Sequence, residues 1–190
     1  DAALFPWMKD FDAYFRSLFP ACPVKRSKWY MQQLLKLYTP VALATIKDAS
    51  DIMLVCDADV MFDRPMTFFN SVKTQIYLTV ANENHLPYYD HMKRLVGIAK
   101  QTPYSAVAHH MVMKLPVLQH LHQMVNSIHK LPLWKAFLKC VNAKEVANSG
   151  ASEYEIYANF ALKFYPNMYK FMRRVWINEV PFAKYLQIGR

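Results

Sequence analysis

The feature that most constrains this fold is a short run, Asp51-Ile-Met-Leu-Val-Cys56, that is apolar at five successive positions and stops at Asp57-Ala-Asp59. Such a run fits neither the two-residue alternation of a half-buried strand nor the 3.6-residue stripe of a surface helix. Its length predicts a strand buried on both faces, as in a parallel sheet covered by helices. Hydrophobic residues make up 54% of the 190-residue chain, which supplies the core that such a sheet needs.

The rest of the chain reads as strands alternating with helices. Residues 1–26 are rich in aromatics and proline and read as short helical turns and loops. From Ser27, a capping residue, Met31, Leu34, Leu35 and Tyr38 fall on one helical stripe, and Pro40 ends or kinks that helix. Thr74–Val80 reads as a strand, Asp90–Lys100 as a short helix and Ser105–His109 as a third strand. A helix follows over about 114–128, and Leu133–Val141 is helical in pattern. Ser152-Glu-Tyr-Glu155 is a capping-box signature opening a helix to about Phe164. This order predicts an α/β domain with a mainly parallel sheet flanked by helices, and no linker divides residues 1–190.

Asp57 and Asp59 follow the first strand, where ligands of open α/β sheets collect. In an extended chain residues i and i+2 point to one side, so both carboxylates are expected to face one ion. Hard oxygen donors with open positions suit Mg²⁺ or Mn²⁺, which then take substrate phosphate oxygens. Only 3 glycines occur, so a glycine-rich phosphate loop is absent and a metal is the expected partner of a diphosphate. Asp10-Phe-Asp12 has the same spacing without a strand before it and reads as surface.

The formal charge of +9 favours anionic partners. Its small clusters, Lys25-Arg26-Ser27-Lys28 and Arg173-Arg174, read as solvated faces rather than a nucleic-acid track. Cys22, Cys56 and Cys140 are odd in number and widely spaced, which argues against a disulfide scaffold and fits a reducing compartment such as the cytoplasm. No apolar run approaches the roughly 20 residues of a membrane span, and no signal peptide is visible.

Three blocks carry a family resemblance: Trp29-Tyr-Met-Gln-Gln-Leu-Leu-Lys-Leu37, Asp57-Ala-Asp-Val-Met-Phe-Asp-Arg-Pro65 and Ser152-Glu-Tyr-Glu-Ile-Tyr157. In this order they resemble the DxD glycosyltransferases of the GT-A fold, a family that includes the chlorovirus enzyme decorating the major capsid protein. The resemblance spans about Lys28 to Phe164. It implies a GT-A-like sheet, a nucleotide-sugar donor (usually a UDP-sugar) and a glycan or glycoprotein acceptor. It also implies Mn²⁺ or Mg²⁺ on Asp57 and Asp59, with host cytoplasm as the setting for a viral member. Two departures stand out: the family's opening strand should precede Asp1, and no His follows His129 to serve as a late metal ligand.

The same resemblance makes the helix after Ser27 a wall beside the donor, with Tyr30, Gln33 and Lys36 as donor-binding residues. Arg64 pairs with Asp63 or with phosphate, most simply ordering the loop after the metal pair. Glu155 occupies the capping position, whereas Glu153 shares the buried helical stripe and is the candidate catalytic base or sugar-hydroxyl ligand, beside Tyr154 in the donor set. His109 and His110 end a strand and point to opposite faces; His109 is the catalytic candidate and His110 a substrate contact. Two readings from other classes compete with sugar transfer. One is a metal-dependent nuclease or nucleotidyl transferase, and the other a non-catalytic carbohydrate-binding module.

Overall fold

The structure is a computed structural model and describes residues 3–62 and 64–173. Asp63 and Arg174 therefore lie outside the described residues, as does the end of the 1–190 domain expected from sequence.

The aromatic N-terminal segment is more regular than its prolines suggest, forming a helix, α1 (Met8–Leu18). Its Phe11 and Phe15 stack 6.2 Å apart and are fully buried, with Trp7 stacked on Trp134 at 6.1 Å beside them. Helix α2 (Val24–Leu43) begins after Pro23 rather than at Ser27. Ser27 lies inside it, with its hydroxyl within 2.9 Å of both the Val24 carbonyl and Asp12 Oδ1. Pro40 does not end α2, which runs one turn further.

Strand β1 (Ile52–Cys56) pairs antiparallel with β3 (His110–Lys114), Ile52 opposite Lys114 and Cys56 opposite His110. Strand β2 (Ile76–Val80) pairs parallel with β4 (Tyr169–Arg173). The two pairs meet where β3 lies beside β2, joined by the Thr79–His110 side-chain bond of 3.0 Å and a backbone bridge between Ala81 and Ser105. This overturns the mainly parallel GT-A-like sheet: the described strands form one antiparallel and one parallel pair. The reason lies at His109. Residues 105–109 are not a strand. The His109 backbone sits at φ +57°, and the chain starts β3 from there running back along β1.

The first strand differs in burial as well. Leu54 is 44% exposed and Cys56 is exposed, so among the described residues β1 is outermost and not covered on both faces. Among the described residues it has a ladder on one side only.

Helices α3 (Leu86–Val96), α4 (Leu115–His129) and α5 (Leu133–Lys139) complete the core. Gly97 closes α3 in the left-handed region at φ +70°, its N–H donating to the Lys93 carbonyl at 2.9 Å. The central element is α6 (Glu153–Phe164), buried on every side from Glu153 to Ala161. A helix covered all round is a core element rather than a surface one.

Candidate functional site

Four elements converge at the carboxyl end of β1. Asp57 directly follows β1 and extends its ladder by one bond, its N–H donating to the His109 carbonyl at 2.9 Å. Lys36 reaches in from α2, His109 precedes β3, and Glu153 and Tyr154 open α6.

Lys36 is the hub. Its ammonium donates to Glu153 Oε1 at 2.5 Å and to Asp57 Oδ1, and it lies 4.5 Å from the centre of the Tyr154 ring. The Tyr154 hydroxyl donates to the same Asp57 oxygen at 3.2 Å, and His109 Nδ1 donates to the other, Oδ2, at 2.8 Å. Burial alone would raise the Asp57 carboxyl, but His109, Lys36 and Tyr154 together hold it down at about 2. Burial works against the Lys36 charge, yet Glu153 and Asp57 outweigh it and keep the ammonium protonated. The Asp57 contact raises His109, with Asp59 adding to the effect. Glu153 is 3% exposed, and burial pushes its carboxyl up while Lys36 pulls it down.

A second layer fixes this cluster. Along α2, Arg26 Nη2 donates to Ser149 Oγ at 3.1 Å, and the Tyr30 hydroxyl donates to the Val146 carbonyl at 3.0 Å. The Tyr30 oxygen also accepts from Gly150 N at 3.0 Å, and Gln33 Oε1 accepts from Glu153 N at 3.2 Å. One face of α2 is thus stitched to residues 146–153 and sets where Glu153 stands. On the other flank the fully buried Glu155 accepts from Ser105 Oγ at 2.6 Å, Ala106 N at 3.0 Å, Tyr89 at 3.2 Å and Asn159 at 3.0 Å. It pins the segment that leads to His109.

Of the residues singled out from sequence, Lys36, Asp57, His109, Glu153 and Tyr154 meet in one network. Tyr30 and Gln33 are buried and brace residues 146–153 through Val146 and Glu153. His110 is buried against Phe62 and Phe68 and bonds Thr79, so it belongs to the core. Arg64 is exposed in the segment beyond the site. Asp59 is exposed at a turn in which Val60 N donates to the Asp57 carbonyl at 3.2 Å. The extended-chain argument for a shared side therefore does not apply to the Asp57/Asp59 pair.

Sequence reasoning reads Glu155 as the capping-box acid, and the structure gives its carboxylate a different place. Ser152 Oγ accepts from Glu155 N at 3.3 Å as a cap should, but the Glu155 carboxylate turns inward. The signal available was the apolar composition of α6 on all sides, which leaves that carboxylate only a buried environment.

Asp57, Asp59 and Glu153 bring three carboxyl groups together with the Lys36 ammonium and with His109, whose protonated form the Asp57 contact favours. Among the described residues no three His, Cys, Asp or Glu side chains group as a metal cage.

All three cysteines are free thiols, and no described helix is long and apolar enough to cross a membrane. No curated protein and no solved structure matches the chain. A family profile does, over residues 1–179, and the chain belongs to that family, the family of unknown function DUF6492.

Proposed function

We propose that this protein is a metal-dependent glycosyltransferase that moves a sugar from a nucleotide-sugar, a UDP-sugar by resemblance, to a glycan or glycoprotein acceptor. The observation that carries the reading is the polar cluster at the end of β1, where Lys36, His109, Glu153 and Tyr154 gather around Asp57. The reading does not depend on a GT-A sheet; it rests on the site and on the three sequence blocks.

In this reading Asp57 and Asp59 hold Mn²⁺ or Mg²⁺, which when bound supplies positive charge to the departing diphosphate. His109, whose protonated form the Asp57 contact favours, donates a hydrogen bond or proton to a phosphate oxygen. Lys36 adds a second positive charge at the same mouth. Glu153 is too deeply buried to be the base that touches an acceptor hydroxyl. It acts as the counter-charge that holds Lys36. The free cysteines agree with a cytoplasmic setting, the host cytoplasm for a viral member.

Calorimetric titration with UDP and UDP-sugars in Mn²⁺, in Mg²⁺ and in EDTA tests the reading, on wild type and Asp59→Ala. The expected result is metal-dependent binding that weakens at least tenfold in the variant. Failure of folded wild type to bind any of these ligands with either metal would sink it. A second reading, metal-dependent phosphodiester chemistry, gains from Glu153, which gives Asp57 a neighbouring carboxylate that the sequence alone does not. It predicts salt-sensitive binding to nucleic acid instead.

A further inference from the structure

The basic cluster Lys25-Arg26-Ser27-Lys28 is not one solvated face. Lys25 and Lys28 are exposed, but Arg26 is half-buried on α2. Its guanidinium carbon stands 4.2 Å from the centre of the half-buried Trp29 ring, a cation–π contact that holds it in place. A guanidinium carries five N–H donors. Among the described residues that of Arg26 makes one hydrogen bond, from Nη2 to Ser149 Oγ at 3.1 Å, and its Nε is buried with no partner. No carboxylate of the described residues pairs with it. A charge partly withdrawn from water with most of its donors unmet is costly to keep. Its planar fork matches the oxygens of a carboxylate or a phosphate.

Polar groups from two other segments gather at the same place. Ser149 sits in the left-handed region at φ +65°, with its hydroxyl on Arg26 and its carbonyl accepting from His85 Nε2 at 3.0 Å. Burial pushes the Tyr88 hydroxyl up to about 12. Glu83 and Glu153 add to this while Ser149 and Arg26 oppose it, so Tyr88 stays a neutral donor near the guanidinium. The His85 ring packs on that of Tyr88 at 4.5 Å.

We propose that Arg26 anchors an anion-binding site, walled by Trp29, His85, Tyr88 and Ser149, that takes the phosphate or carboxylate group of a ligand. The site is separate from the Asp57 cluster. Arg26 and Lys36 lie ten residues apart on one helix, about 15 Å at 1.5 Å per residue. The guanidinium supplies the charge, so binding is expected without added metal. The inference stands on this geometry and does not rest on the glycosyltransferase reading.

The test follows the Arg26 Nε–H signal by ¹⁵N NMR in EDTA while inorganic phosphate is added, and in a second series glucuronate. Sodium chloride of equal ionic strength is the control. The expected result is a saturable shift with phosphate or glucuronate and none with chloride. Whichever of the two binds more tightly names the group that the site takes. Arg26→Lys keeps a positive charge beside Ser149 but loses the fork, and should bind the same anion at least tenfold more weakly by calorimetry. Asp59→Ala should bind it as wild type does.

An Nε–H signal that neither anion moves, or that chloride moves as far, overturns the proposal. Equal anion binding by wild type and a folded Arg26→Lys does the same. If Arg26→Lys does not fold, the wild-type titration decides alone. Phosphate binding that survives Arg26→Lys and is lost in Lys36→Ala would put the anion at the Asp57 cluster and also overturn this site. Failure here leaves metal-dependent UDP binding, and so the nucleotide-sugar reading, untouched. Phosphate or glucuronate binding at Arg26 with no metal-dependent UDP binding would leave this inference standing and remove that reading.

Discussion

Removing the hydroxyl of Tyr30 isolates what the stitching between α2 and residues 146–153 contributes. Tyr30→Phe keeps the ring and its packing against Phe15, 5.7 Å away, and deletes one atom that serves two backbone groups. Those groups are the Val146 carbonyl and the Gly150 N–H, both on buried residues. Burial pushes the Tyr30 hydroxyl up to about 12, so it is neutral and donates at every working pH. A buried group left unpaired costs about 1–3 kcal/mol. Two such groups, with partial rescue by entering water, give a loss of about 3 kcal/mol. For a domain of this size that is a fall in Tm of roughly 6 to 12 °C. Urea unfolding followed by circular dichroism should show a lower midpoint with unchanged slope, since the surface exposed on unfolding is the same. A loss below about 0.5 kcal/mol would refute the reasoning, because it would mean that water already satisfies Val146 and Gly150.

Gly150→Ala should destabilise by about 1–3 kcal/mol, since a Cβ there meets Val141 Cγ1 at 3.0 Å, the Tyr30 hydroxyl at 3.1 Å and the Glu145 carbonyl at 3.2 Å; thermal melts check it. Ser152→Ala, which removes the cap of α6, should cost about 1 kcal/mol by the same assay. Acid should unfold the protein from a well-defined pair of histidines. Burial lowers His91 and His122 from 6.5 to about 4, so the unfolded chain binds protons that the folded one refuses between those values. Their contribution is intact above pH 6.5 and is lost as pH falls toward 4, at about 1.4 kcal/mol per pH unit for each histidine, or roughly 3 kcal/mol apiece. Urea midpoints at pH 7, 6, 5 and 4 should trace that loss, and His122→Gln should remove about half of the slope.

Local signals in the sequence were legible where short-range physics decides. The Ser152 cap, the helical pattern from Leu133 and the strand at Ile52–Cys56 appear near their expected places. Helix α2 instead forms with its buried face turned to Tyr30, Gln33, Leu34 and Leu37, so that of the expected stripe only Leu34 is buried and Met31, Leu35 and Tyr38 are half-buried. The pairing of strands was not legible, because nothing local to residues 105–110 announces that His109 takes a positive φ and that β3 turns back on β1. An apolar run also looks the same whether a strand is central or outermost, as Leu54 shows. In the site, Asp57 and Lys36 were each identifiable as residue types in context. Their meeting across 21 positions, and with Glu153 across 117, is a product of the tertiary fold. Asp59 illustrates the opposite error: a spacing argument valid in extended chain fails once the chain turns after Asp57.

The open flank of β1 changes how the stiffness of this site should be understood. A strand in the middle of a sheet is gripped along both edges, and its end inherits that grip. Among the described residues β1 is gripped along one edge only, by β3, so the placement of Asp57 depends on three struts at its tip: Lys36, Tyr154 and His109. The strand behaves as a cantilever, clamped along one side and tied at the free end. Any ligand that unties those struts therefore also loosens the strand behind them, and anything that docks along the open flank re-aims Asp57 without touching it.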